Sequence, residues 1–246
     1  MIHLREDTEK ILYNHKREIE ERYLSYYRGI LANSDLILKY RKQFYMRGFL
    51  RAYINITQAK SKSPQFSVRY GGQEVALMKL SIKDERFYLH IGQRKHAKNN
   101  KKFFDFDLAP GSYDWKYSSE AKAFRKRFKN VPPINSVGIG EHWYESFILD
   151  EMQNPKGDKF CGNYKYIRPV LIAGKIPFQM PVPISGRGGK PKYQEGPQAG
   201  HIDILARHGK SKPSLTIIEL KRPGGQYDNA LSQAFIYTVT LSFLIQ

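Results

Sequence analysis

With 246 residues, 41% of them apolar, the chain is long enough for one large domain or two small ones and can build a hydrophobic core. Its 41 Lys and Arg against 23 Asp and Glu give a formal net charge of +18, which points to a polyanionic partner, nucleic acid or an anionic surface. A single cysteine, Cys161, excludes an intramolecular disulfide. Residues 1–7 lack the apolar core of a signal peptide, and the least polar stretch, 230–245, is too short and polar for a membrane span, so a cytoplasmic protein without membrane contact is expected.

Residues 4–57 hold no proline and carry Ile11, Tyr13, Ile19, Tyr23 and Tyr27 at near-helical spacing among charges. This predicts helices, with Asn33-Ser34-Asp35 as a break and N-cap. From 65 to 91 the period becomes two. Phe66, Val68 and Tyr70 precede Gly71-Gly72, then come Val75, Leu77, Leu80 and Ile82, and after a turn at Lys83-Asp84-Glu85 come Phe87, Leu89 and Ile91. That pattern predicts a small antiparallel sheet. Two basic clusters follow. The first holds Arg94, Lys95, His96, Lys98, Lys101 and Lys102. The second holds Lys122, Arg125, Lys126, Arg127 and Lys129, near the end of a predicted helix. Aromatic residues are interleaved with both. Cations among aromatics suit a phosphate backbone with stacking, and a solvated basic face over an aromatic core gives the same pattern.

Val131-Pro132-Pro133-Ile134-Asn135-Ser136 cannot continue a helix and marks a linker. It divides the chain into a helical and β module over 1–131, for substrate binding or assembly, and a second domain over 137–246. In the second domain 141–152 reads as a helix, and 167–172 and 176–184 as strands. Gly186-Arg187-Gly188-Gly189-Lys190-Pro191-Lys192 opens a long basic loop ending near 199, and a helix runs from about 228 to the end. The loop lacks Walker A spacing and reads as a mobile basic element beside a substrate.

Between loop and helix lie Gly200-His201-Ile202-Asp203-Ile204-Leu205 and Thr216-Ile217-Ile218-Glu219-Leu220-Lys221. Both read as short strands of β-branched residues and leucine, separated by ten residues that include Gly209 and Pro213. Alternation sends Glu219 and Lys221 to one face and Leu220 to the other, with Asp203 on the neighbouring strand and His201 on the face of Asp203. Two carboxylates and an ammonium on one face of a buried sheet are costly, and carboxylates incompletely paired with cations commonly bind a metal. No paired Cys/His spacing for zinc and no Gly-x-Ser-x-Gly elbow is present.

The succession of acid-bearing helix, strands with Asp203 and then Glu219-x-Lys221, and a helix with Gln233 and Tyr237 resembles the PD-(D/E)XK nuclease superfamily. The resemblance covers roughly residue 138 to the end. It implies an α/β fold: a restriction-endonuclease-like mixed sheet flanked by helices, preceded here by an α+β module of helices and a small antiparallel sheet. It also implies Mg²⁺ or Mn²⁺ held by Asp203, Glu219 and the backbone carbonyl of Leu220, with an acid from the first helix. Glu145 is preferred to Glu141 for that acid, because Trp143-Tyr144-Glu145-Ser146-Phe147 resembles the signature of some members. Lys221 would orient or help deprotonate the attacking water, Gln233 would hold the water, the lysine or a phosphate, and Tyr237 and His201 would support the site. Lys122, Arg125, Lys126, Arg127, Arg187, Lys190, Lys192 and Arg222 are the expected nucleic-acid contacts.

Two departures stand out. Ile202 occupies the position of the family's proline, and the chain stops at Gln246, where the fold usually adds a strand. The expectation is therefore a shortened chain, or a sheet completed by a second copy or a partner subunit. The function expected is a Mg²⁺-dependent endonuclease acting on DNA, in defence against foreign DNA or in DNA processing. The alternatives are a catalytically silent nucleic-acid-binding or assembly subunit of the same fold, and a nuclease directed to RNA.

Overall fold

A computed structural model describes residues 2–40, 50–56, 65–81, 83–93, 95–129, 140–153, 167–172, 174, 176–195, 200–209, 211–221 and 227–246. The chain is mixed α/β, and every strand ladder among the described residues is antiparallel. Contacts divide it into two compact units. One comprises Met1–Arg28, Met152–Val170 and Gln179–Gln246; the other comprises Gly29–Glu151 and Leu171–Phe178. The linker expected at 131–136 lies outside the described residues.

The second unit is built on five strands in the order β1 to β5: β1 (Leu50–Ile54), β2 (Gln65–Tyr70), β3 (Gln73–Ser81), β4 (Arg86–Ile91) and β5 (Gly111–Asp114). With it go helices α3 (Ser34–Tyr40), α4 (Lys95–Phe104), α5 (Ser119–Lys129) and α6 (Glu141–Gln153). Most of the alternation read from the sequence faces the core: Phe66, Val68, Tyr70, Val75, Leu80, Phe87, Leu89 and Ile91 are buried, whereas Leu77 is half-buried with Met78 buried in its place, and Ile82 lies outside the described residues. The expected turns are present. Gly71 and Gly72 both take positive φ, 51° and 80°, in the two-residue turn that joins Tyr70 to Gln73. At Gly72 a Cβ would also lie 1.9 Å from the His142 carbonyl oxygen, so α6 sits directly on this turn.

Three expectations change. Residues 50–54 are a strand and not the end of a helical region. All five are buried, so no period of two is left to read, and Arg51 is accommodated by donating from Nη2 to Asp150 Oδ1. The strands expected over 167–172 and 176–184 are instead short pieces: β6 (Ile167–Pro169), β7 (Met180–Pro181) and β8 (Ile184–Ser185). Pro169, Pro177, Pro181 and Pro183 each remove a ladder donor. The start of the expected loop is ordered too: β9 (Lys192–Tyr193) pairs with β8 around a 3₁₀ turn at Arg187–Gly189.

The first unit adds α1 (Ile2–Asn14), β10 (His201–Ile202), β11 (Ile204–His208), β12 (Ser214–Ile218) and α7 (Tyr227–Leu244), with α2 (Lys16–Ala32) entering it from its N-terminal end. Its sheet runs β12–β11–β6. Helix α7 buries Ile236, Tyr237, Thr240 and Leu241 and meets α1 through an edge-to-face pair, Tyr13 with Phe243, 5.4 Å between centroids. No helix among the described residues is long and apolar enough to cross a membrane.

A polar knot fastens α4 to the five-stranded sheet. Glu74 Oε1 lies 3.0 Å from both His96 Nε2 and Lys95 Nζ, and Ser67 Oγ donates to Glu74 Oε2 at 2.5 Å. Gly92 N–H donates to His96 Nδ1 at 2.9 Å, which fixes the tautomer that donates to Glu74. Burial pushes the Glu74 carboxyl up, but the bonds from His96, Ser67 and Lys95 prevail and hold it at about 2. A carboxyl held low contributes stability above its ordinary value of 4.5, and that contribution is lost as pH falls from 4.5 to about 2. Glu74→Gln is therefore expected to cost about 2–3 kcal/mol in urea unfolding at neutral pH, with the deficit narrowing below pH 4.5.

Candidate active site

The site grows from the register of one strand pair. Ile204 of β11 faces Ile218 of β12, and one step further the same register sets Asp203 opposite Glu219. Like charges directly opposite destabilise a strand pair, and the ladder ends here. Asp203 lies at a bend between β10 and β11, and Glu219 follows the last residue of β12. The continuous strand expected over 200–205 is thus broken at its carboxylate. In place of the ladder, Asp203 Oδ2 accepts the Leu220 N–H at 2.8 Å.

Lys221 Nζ donates to Glu219 Oε1 at 2.7 Å and to the Leu220 carbonyl at 3.0 Å. Glu219 and Lys221, expected to share a face, are in direct contact, with side chains 4% and 19% exposed. Removing either partner of so buried a pair leaves a charge uncompensated.

Helix α7 supplies the other wall. Gln233 Nε2 donates to the Tyr237 hydroxyl at 3.0 Å. Burial pushes the Tyr237 phenol up, and the charges of Glu219 and Asp203 push the same way, against hydrogen bonds from Gln233 and the Gly186 backbone. The Tyr237 phenol thus feels both carboxylates, and Gln233 is tied to it by that hydrogen bond.

Two glycines make the approach possible. A Cβ at Gly200 would lie 2.3 Å from the Tyr237 hydroxyl, and one at Gly186 would lie 2.9 Å from Gln233 Cα. In the sequence Gly186 reads only as the opening of the basic loop and Gly200 only as the start of a strand. Glycine content alone does not reveal which glycine faces a tyrosine from a helix thirty-seven residues later.

The other expected residues are divided between the two units. His201 is half-buried on β10, opposite Pro181. Arg187, Lys190 and Lys192 are exposed on the β8–β9 hairpin of the same unit, and Arg222 lies outside the described residues. Lys122, Lys126 and Arg127 are exposed on α5 in the sheet unit. Arg125 donates from Nη1 to the Trp115 carbonyl and lies 4.7 Å over the Trp115 ring, with its pKa lowered by burial, so it is occupied in fastening α5 to β5. Glu145 belongs to the sheet unit, where its 2%-exposed carboxylate lies 3.8 Å from Arg69 Nη1 and 3.6 Å from His142 Nδ1. Glu141 is half-buried in the first turn of α6.

The donor set here is two carboxylates and a backbone carbonyl, all hard oxygens of the kind Mg²⁺ and Mn²⁺ prefer. That Lys221 sits on two of these three groups shows that they favour positive charge at this point. Among the described residues no group of three or more His, Cys, Asp and Glu side chains is arranged to hold a metal. A metal here would rely on the Leu220 carbonyl, water and substrate oxygens for its remaining ligands. Compared with protein-family models, with curated proteins and with solved structures, the chain matches none.

Gly200→Ala is expected to lower stability by about 1–3 kcal/mol through overpacking against Tyr237. Tyr237→Phe removes the nearest clashing atom, so the penalty in that background should be smaller in a thermal-unfolding cycle.

Proposed function

We propose that the chain is a metal-dependent nuclease of restriction-endonuclease-like fold that hydrolyses phosphodiester bonds, with DNA as its substrate. The observation that carries this reading is the convergence of Asp203, Glu219, the Leu220 carbonyl and Lys221 at the open end of β11–β12, faced by Gln233 and Tyr237 from α7. The net charge of +18 and the exposed cations Arg187, Lys190 and Lys192 in the same unit support a polyanionic substrate.

In this reading Asp203, Glu219 and the Leu220 carbonyl hold a Mg²⁺ or Mn²⁺ ion. A cation so bound lowers the pKa of a water and polarises the phosphate. Lys221, released from part of its contact with Glu219, orients the attacking water and offsets the charge that builds on the phosphate oxygens. Tyr237 stays protonated, because burial and two neighbouring carboxylates oppose its ionisation. It therefore serves as a neutral hydrogen-bonding post that holds the Gln233 amide toward the site. The work of the sheet unit, with its exposed Lys122, Lys126 and Arg127, is assigned to substrate binding or assembly.

One observation favours a second reading, a silent nucleic-acid-binding subunit of the same fold. Lys221 already supplies positive charge to Glu219 and Leu220, as a permanently self-neutralised site would.

A cleavage assay separates the two. With Mg²⁺ or Mn²⁺, wild-type chain is expected to nick or cut supercoiled, linear or single-stranded DNA. Asp203→Ala and Lys221→Ala should each lose at least about 10²-fold in rate, the scale on which one electrostatic or proton-transfer group contributes. Undiminished activity in either variant rejects the assigned roles. Binding without cleavage by wild-type under both metals supports the silent reading, and preferential cutting of an RNA arm moves the substrate from DNA to RNA.

A further inference from the structure

The β8–β9 hairpin is held at both ends. At its tip, the Gly186 backbone lies against Gln233, and a Cβ at Gly189 would meet Asn229 Oδ1 at 3.0 Å, so the tip is seated on the first turns of α7. Gly188 and Gly189 both adopt φ of 73°, a left-handed turn that glycine tolerates. Between the anchors Arg187, Lys190 and Lys192 are exposed.

At its base three side chains grip Tyr193. The Tyr193 ring stacks on His15 with centroids 3.7 Å apart and an interplanar angle of 4°. Its hydroxyl donates to Glu18 Oε2 at 3.0 Å and accepts from Arg22 Nη2 at 3.0 Å. Arg22 Nη1 reaches on to the Gln194 carbonyl at 3.2 Å. His15 Nδ1 lies 3.0 Å from the same Glu18 oxygen. These bonds, from His15 and then Tyr193, hold the Glu18 carboxyl below its usual range.

A two-pair strand ladder alone does not hold a hairpin in one place. Here the tip is fixed beside Gln233 by close backbone approach, and the base is fixed by a satisfied polar cluster that orders long side chains together. We infer that His15, Glu18, Arg22 and Tyr193 form a latch whose task is to position Arg187, Lys190 and Lys192 for the phosphates that flank the Asp203–Glu219 centre. These four are positioning residues: they act on the substrate through the hairpin. The part of this inference that places those phosphates beside a cleaved bond rests on the nuclease reading; the latch itself concerns binding alone.

The test uses the full chain and a fluorescein-labelled DNA duplex, with anisotropy recorded in EDTA at fixed salt. Tyr193→Phe keeps the stack and the charge but loses both hydroxyl bonds. Glu18→Gln removes a negative charge, so overall electrostatics predicts tighter binding, whereas the latch predicts weaker binding. Both variants are expected to bind roughly fivefold more weakly, with thermal unfolding confirming that they fold. In an Arg187→Ala/Lys190→Ala/Lys192→Ala background, neither should weaken binding further, because the cations they position are gone.

Unchanged or tighter binding by Tyr193→Phe and Glu18→Gln overturns the inference. Full additivity with the Arg187/Lys190/Lys192 triple variant overturns it as well, as does a wild-type chain that does not bind the duplex. Weakened, non-additive binding in a wild-type chain that never cleaves under Mg²⁺ leaves the latch standing and rejects the nuclease reading. Cleavage with unaltered binding in the variants does the reverse.

Discussion

One hydrogen bond, from the Leu220 amide to Asp203 Oδ2, determines the geometry of the candidate site. The register of β11 and β12 brings two carboxylates opposite each other, an arrangement a ladder does not favour. Ending the ladder exposes backbone donors, and Asp203 takes one of them. That single choice turns Asp203 toward the end of β12 and leaves the Leu220 carbonyl pointing where Lys221 reaches it. A structural conflict at a sheet end thus becomes a cluster of oxygen donors with one ammonium among them.

Helix α7 completes this cluster because two positions lack side chains. Gly186 and Gly200 admit Gln233 and Tyr237 to distances that any Cβ would block. The hairpin carrying Arg187, Lys190 and Lys192 leaves from Gly186, so the close approach that seats Gln233 also places the basic hairpin next to it. Asp203 and Glu219 are gathered with Lys221 at the strand ends, while Arg187, Lys190 and Lys192 are exposed to solvent.

Legibility from sequence followed the physics of periodicity. Phe66, Val68 and Tyr70, then Phe87, Leu89 and Ile91, announce their sheet because one face of each strand is more buried than the other. Leu50–Ile54 is buried throughout and therefore carried no such signature. The contact of Glu219 with Lys221 was readable because strand alternation is a local rule, whereas Gln233 and Tyr237 entered only through the resemblance. The bend at Asp203 was not readable, since it follows from the register with β12, a relation between segments. Arg125 shows the same limit: in sequence it is one more cation in a basic run, and only folding reveals that Trp115 claims it. Glu145 likewise reads as a helix acid, while its partners Arg69 and His142 become visible only in the folded sheet unit.

The central claim is that Asp203 and Glu219 together form a divalent-cation site. Titration of Mn²⁺ followed by electron paramagnetic resonance, on wild-type and Asp203→Asn, tests it most directly. Asparagine keeps an oxygen acceptor for the Leu220 amide and removes only the charge. The account predicts one bound Mn²⁺ per wild-type chain and at least about tenfold weaker binding in the variant, as expected when a charged ligand becomes neutral. Equal affinity in the two proteins, or no binding in either, would contradict it.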